Sequence, residues 1–320
     1  MKKLIAFILA VIMCFSFIGC NEKQAEDTLH KTISIVQNNN RNRMTAEDEN
    51  YIYFYNENEI LKMSKADNSV ETVYAFEGDN YIVIECIEYF DGAVYMIGFG
   101  KEASMGILLA TVKTDGTGMK TVSLGNTGYM PNFYTYDNTL YLGKNTLNPD
   151  TLELEPKDIN IDYLTKTADG TVFEKKLEGQ YGRLYKTDPS GNTQLFLHND
   201  KSVFMQHVTD YYVFYVLVDP AAFEKFELYR CDADGNNEIF IREIPLEKIR
   251  EIHHDNKYLY VGEFEGPIWK INKETLETTD VSTIEDIDYT WQEVNNEKFF
   301  YCRGGECYYI DTVTGEKVEF

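Results

Sequence analysis

The sequence predicts an all-β chain folded as a single β-propeller of seven four-stranded blades. Three observations carry this prediction. A turn-and-strand motif returns at intervals of about forty residues, as "ENYIYFY", "DGAVYMIGF", "DNTLYLG", "DGTVFEK", "DYYVFYV", "NKYLYVG" and "EKFFYCR". A second motif, an alternating strand running into a polar turn, follows each copy. The apolar residues alternate with period two, and few stretches show the 3.6-residue period of a helix. Short strands at this period are the pattern of propeller blades with four strands each. One blade cannot bury both of its faces, so each packs on its neighbours until a ring closes. The fourth repeat, 158–198, is degenerate, which leaves six and eight blades as alternative counts.

The first twenty residues stand apart from the repeats. Lys2 and Lys3 precede an apolar run from Leu4 to Ile18, and Gly19 stands directly before Cys20. The run is short for a membrane span and fits a secretory leader. Its Gly-Cys end resembles a bacterial lipoprotein signal, which implies that Cys20 carries lipid; Phe17 stands where leucine is common. Residues 21–42 read as a polar tether, with Thr32 to Val36 able to pair with a sheet edge. The propeller is expected over 43–320.

Within it, the aromatic of the first motif falls at Tyr53, Tyr95, Tyr141, Phe173, Phe214, Tyr260 and Tyr301. Four positions earlier stand Glu49, Asp91, Asp137, Asp169, Asp210, Asn256 and Glu297, most of them residue types that tolerate tight turns. The second motif includes "ILKMSKADNS", "RLYKTDPSGN", "ELYRCDADGNN" and "CYYIDTVTGE". The last repeat ends in "GEKVEF", which reads as its own outer strand.

The paired pattern D-G-x-x-Y and L-Y-[KR]-x-D-x-x-G, clearest in "DGTVFEK…GRLYKTDPSGN" and "DYYVFYV…FELYRCDADGNN", resembles a bacterial family of unknown function with a lipoprotein-receptor-like (YWTD-type) propeller domain. The resemblance covers about 43–320 and implies the fold. It implies no activity, and the sequence "YWTD" itself is absent.

The formal charge of −23 sets a strongly acidic surface, which repels phosphate backbones and excludes nucleic acid as a partner. No nucleophile elbow, zinc-protease motif or phosphate-binding loop is present. "DADGNNE" spaces oxygen ligands as a calcium loop does, but the equivalent turns "KADNSVE" and "KTDGTGM" are poor in ligands, so it reads as a hairpin turn. No cofactor is expected. His207 and His253 each lie seven residues before their aromatic, in adjacent first strands. With a carboxylate they are candidate metal ligands around a central channel, the alternative being two polar residues lining it. Cys86 and Cys231 lie in strand-like runs and read as buried thiols. Cys302 and Cys307 flank a Gly304-Gly305 turn as a cross-strand pair, leaving a disulfide or two thiols open.

The regular turns precede the second strand and follow the third, so both lie on one rim. The opposite rim carries irregular loops, where binding residues are commonly presented. Phe99, Met105, Tyr129, Tyr181, Phe223 and Phe264 are the candidate contacts. The expected function is a monomeric binding or scaffold lipoprotein on the outer face of the cell envelope, held to the membrane by its N-terminal lipid and recognising a protein or glycan. The alternative is a propeller enzyme, a hydrolase or lyase acting on glycans. A structural part of an envelope assembly is a third reading.

Overall fold

The computed structural model describes residues 44–320 except 57, 77–81, 101–105, 126–129, 158–163, 180, 198–200, 220, 222–223, 246–248, 264–265, 286, 288–292 and 304–305. The described residues form seven four-stranded antiparallel sheets in which neighbouring strands pair in chain order. These are the blades of a seven-bladed propeller, with no helix among the described residues. The inner strands are Thr45–Glu47, Ile82–Phe90, Phe133–Tyr136, Leu164–Lys166, Ser202–Val208, Ile249–His254 and Glu293–Asn295. The degenerate fourth repeat is a complete blade, built on the long hairpin of Val172–Glu178 and Tyr181–Thr187.

The core is distributed between blades rather than gathered at a centre. Tyr53 of blade one stacks on Tyr89 of blade two, and Tyr95 packs with Phe133 and Leu140 of blade three. Phe173 joins Val203 and Val213 of blade five, while Tyr260 meets Phe299 of blade seven edge-on. Each repeated aromatic therefore faces the next blade, which is why the motif recurs once per blade. The ring closes without an exchanged strand. Blade seven has its own outer strand, Lys317–Glu319, and its Phe300 and Tyr309 pack on Ile52, Phe54, Leu61 and Met63 of blade one.

Strand pairing corrects two registers. In blade seven the aromatic opposite the inner strand at the equivalent place is Phe300, paired with Glu293, not Tyr301 with Val294. The run "KFFY" holds three successive aromatics, and only pairing selects among them. In blade four Phe173 pairs with Thr165, so Lys166 is displaced by one.

The turns divide into two kinds. Asp91, Asp137 and Asn296 take φ of 47–49°, the left-handed conformation of a tight hairpin. In blades one and six the working residue instead lies five before the aromatic. Asp48 Oδ1 accepts from the amides of Asn50 and Tyr51, each at 2.7 Å, and Oδ2 from the Tyr53 hydroxyl at 2.7 Å. Asp255 repeats this with Lys257, Tyr258 and Tyr260.

Candidate functional site

Direct pairing places the seven equivalent inner-strand residues as Ala46, Glu88, Tyr134, Thr165, His207, His253 and Glu293. All seven are buried. Residues directly opposite on antiparallel strands share a face, so these side chains follow their aromatics toward the next blade. Tyr134 packs with Leu164 of blade four, and His207 stacks on His254 of blade six. The ring is chemically varied, but its members enter separate interfaces.

In the structure His207 and His253 are buried and face different blade interfaces. His207 and His253 occupy equivalent registers, as the sequence implied, yet the imidazole beside His207 is His254. Among the described residues no three of His, Cys, Asp and Glu assemble as a metal site. The Asp232–Glu238 turn uses its Asp and Asn side chains within the turn, while Glu238 accepts from the Tyr215 hydroxyl and the Ala233 carbonyl from Lys186. Asp234 accepts from the Asn236 amide at 3.0 Å, and Asn237 donates to Asp232 at 2.6 Å. Hydrogen bonds from Asn236 hold the Asp234 carboxyl below its usual range.

Among the described residues, most of the turn rim is knitted together by hydrogen bonds. In five blades an amide at or next to the turn after the third strand donates to the hairpin before the second: Lys65 to Asn50, Thr114 to Gly92, Ala233 to Tyr211, Lys273 to Lys257 and Thr312 to Glu297. Asp188 accepts from Ser190 and Asn192, and these bonds pull its carboxyl down to about 2. The Asp side chains of these turns, Asp48, Asp188, Asp234 and Asp255, accept from their own turns.

The opposite rim differs. Glu85 is the extra residue of a bulge between Ile84 and Cys86, and Phe204 fills the same place in blade five. Bulges re-aim side chains at rims. In both places a neighbouring strand accommodates a carbonyl of the bulged strand with a glycine. A Cβ on Gly98 would stand 2.0 Å from the Val83 oxygen, and one on Gly182 2.2 Å from the Val203 oxygen. Lys175 of blade four donates to the Phe204 carbonyl at 2.8 Å, and burial lowers its amine to about 8. Burial also raises the Glu85 carboxyl.

Around these bulges apolar side chains stand in solvent. Phe99, opposite Val83, is 46% exposed, Leu177 is 69% exposed, and Phe204 and Val83 are exposed as well. Four further exposed apolar residues lie on outer strands, and Tyr211 and Val313 lie on the turn rim. Tyr181 is half-buried beneath the Arg183 guanidinium, 4.6 Å from its ring, and Arg183 donates to the Lys201 carbonyl at 3.0 Å. Lys201 pairs with Glu227, and Lys225 with Glu243. Burial opposes the Glu227 charge, yet Lys201, Tyr229 and Lys225 together hold its carboxyl below the usual range. This rim thus places exposed aromatic and apolar side chains beside Arg183, Lys175 and two Lys–Glu pairs.

Of the candidate contacts, Phe99 and Tyr181 are on this rim. Met105, Tyr129, Phe223 and Phe264 lie outside the described residues, as do Cys20 and the tether. Phe204 escaped the sequence reading; Lys175 and Leu177 fall in 175–183, which the sequence reads as an irregular loop and which the structure shows as the end of the strand Val172–Glu178. Glu85 and Phe204 both stand ten residues before their aromatic, so the two bulges occupy equivalent places. Cys302 and Cys307 lie directly opposite each other with Cα atoms 4.1 Å apart, joined by a disulfide. Cys86 and Cys231 are buried thiols outside the disulfide, and burial pushes the Cys231 thiol up to about 12.

No protein-family model matches the chain, and no curated protein matches it. Solved structures do. PorZ, a bacterial surface component of the type-IX secretion system of Porphyromonas gingivalis, matches with a TM-score of 0.52 and 11% identity over 89% of this chain and 38% of its own. The tricorn protease matches with a TM-score of 0.48 and 13% identity over 90% of this chain and 31% of its own. The extracellular domain of BT4673, a candidate one-component system of B. thetaiotaomicron, matches with a TM-score of 0.47 and 13% identity over 88% of this chain and 37% of its own. The chain spans about a third of each of these proteins. At such identities the likeness is one of fold.

Proposed function

We propose that this chain is a surface-anchored binding or scaffold propeller that recognises a protein or glycan with its irregular rim and is held at the membrane through lipid on Cys20. The observation that carries the reading is the contrast between the rims. One rim satisfies its polar groups internally. The other combines exposed Phe99, Leu177 and Phe204 with the Tyr181–Arg183 stack on the ends of paired strands. Aromatic side chains and arginine are the groups that dominate recognition surfaces. The fold of PorZ, a bacterial surface component by its description, is consistent with such a setting.

The glycan-processing alternative needs two acids flanking one bond. Glu88 and Glu293, the acids of the inner ring, face different interfaces. Glycan arrays probed with the intact protein, read both for binding and for turnover, separate the readings. Binding without turnover, lost in a Phe99→Ser, Leu177→Ser double variant, supports recognition. Released product supports the enzyme.

A further inference from the structure

The chain enters the ring at a fixed place on the irregular rim. Thr45 pairs with Phe54, and the strand Thr45–Glu47 runs from there into the Asp48 hairpin of the turn rim, so Met44 stands at the opposite end. Met44 is buried, in one cluster with Ala46 of its own blade and with Ile82 and Ile84 of blade two. Beside that entry Val83 and Phe99 pair across blade two, and both are exposed. Leu177 and Phe204 stand in solvent on the same rim. The other rim carries the acidic turns, in which Asp67, Asp115, Asp188, Asp234 and Asp311 each accept from an amide of their own turn.

We propose that the irregular rim faces the membrane that carries Cys20, and that its partner is a protein embedded in or anchored to that same membrane. The proposal rests on both parts of the reading above, lipid on Cys20 and recognition by the irregular rim. Residues 21–43 separate Cys20 from Met44. A chain of that length averages about 30 Å between its ends as a coil. Turning the other rim to the bilayer would take it outward across four strands, about 15 Å, and then down the height of a blade. That height is about 30 Å for the nine residues of Ile82–Phe90. Facing the bilayer with the entry rim asks for no such detour. Charge acts in the same direction, since an anionic lipid surface repels the rim of aspartate turns. Val83 and Leu177 gain by meeting apolar side chains and not by meeting the hydroxyls of a sugar, which favours a protein over a glycan.

Orientation is read with no partner present, from the lipid-bearing chain in vesicles of phosphatidylethanolamine and phosphatidylglycerol with an acceptor dye on the headgroups. A fluorescent amino acid stands at Phe99 in one variant and at Val313, on the turn rim, in another. With the rims about 30 Å apart, transfer should be at least ~2-fold more efficient from Phe99. Equal transfer, or more from Val313, overturns the orientation and leaves rim recognition standing. A Cys20→Ser chain that binds the vesicles as fully as wild type overturns the lipid on which the proposal rests. In intact cells, photo-adducts formed at Phe99 should enter the detergent phase as membrane proteins. Adducts of soluble proteins, or of glycans alone, overturn the partner. No adduct from Phe99, with the orientation as expected, overturns recognition by this rim and the partner with it, but not the orientation.

Discussion

Glu293 Oε2 accepts the backbone amide of Thr45 at 2.7 Å, joining the last inner strand to the first across 248 residues of sequence. Both residues are buried, and Asn295 adds a weaker bond to the Thr45 hydroxyl at 3.3 Å. Glu293→Ala leaves a buried N–H unpaired and should cost about 1–3 kcal/mol in urea unfolding. Glu293→Gln keeps a carbonyl in place and should cost less. An alanine variant with an unchanged midpoint would show that the seam does not rest on this bond.

The same seam is closed mainly by aromatic packing. Phe54 is fully buried against Phe300, with ring centroids 5.4 Å apart, and against Phe320 at 4.5 Å. Phe54→Ala should destabilise by about 3–5 kcal/mol. A double-mutant cycle with Phe300→Ala should give a coupling of about 0.5–1.5 kcal/mol beyond simple burial. Strictly additive losses would mean that the first and last blades do not touch.

Acid should weaken the interface between blades five and six. Burial keeps His207 neutral in the folded chain well below its ordinary value of 6.5. Below about pH 6.5 the unfolded chain binds the extra proton, so stability falls with falling pH. The slope from this group is at most about 1.4 kcal/mol per pH unit. Lys273, lowered from 10.5 to about 7 by burial, adds a dependence of the same sign above neutrality. Urea midpoints of wild type and His207→Leu between about pH 5 and about pH 8 should diverge toward acid. Parallel curves would place the acid sensitivity elsewhere.

The ring and its blade order were legible because each blade repeats one physical problem, two apolar faces and two tight turns on one rim. The turn residues and alternating strands solve it in the same way each time. Register was less legible. "KFFY" offered three aromatics, and choosing Tyr301 hid Glu293 behind Val294, so the closing hydrogen bond could not be foreseen. The partner of His207 was hidden for a related reason. Periodicity aligns His207 with His253, but the interface joins opposite faces of adjacent blades, and His254 points the other way. Contacts between repeats depend on which face a residue shows, and equivalent positions do not reveal that.

The Cys302–Cys307 pair closes a short loop, so its loss should cost only about 2 kcal/mol in the chain-entropy account. Protein purified without reductant and then alkylated should carry no label on either cysteine by intact mass and peptide mapping. Label on both would leave that hairpin held by its turn and strand pairing.

Recognition by the irregular rim is tested most directly by photo-crosslinking from both rims on intact cells. A photoreactive residue at Phe99 or Tyr181 samples the irregular rim, and one at the exposed Val313 samples the knitted turn rim. Discrete adducts of one partner, protein or glycan-bearing, are expected from Phe99 and Tyr181, and none from Val313. The same adducts from Val313 at equal yield, with none from Phe99, would contradict it.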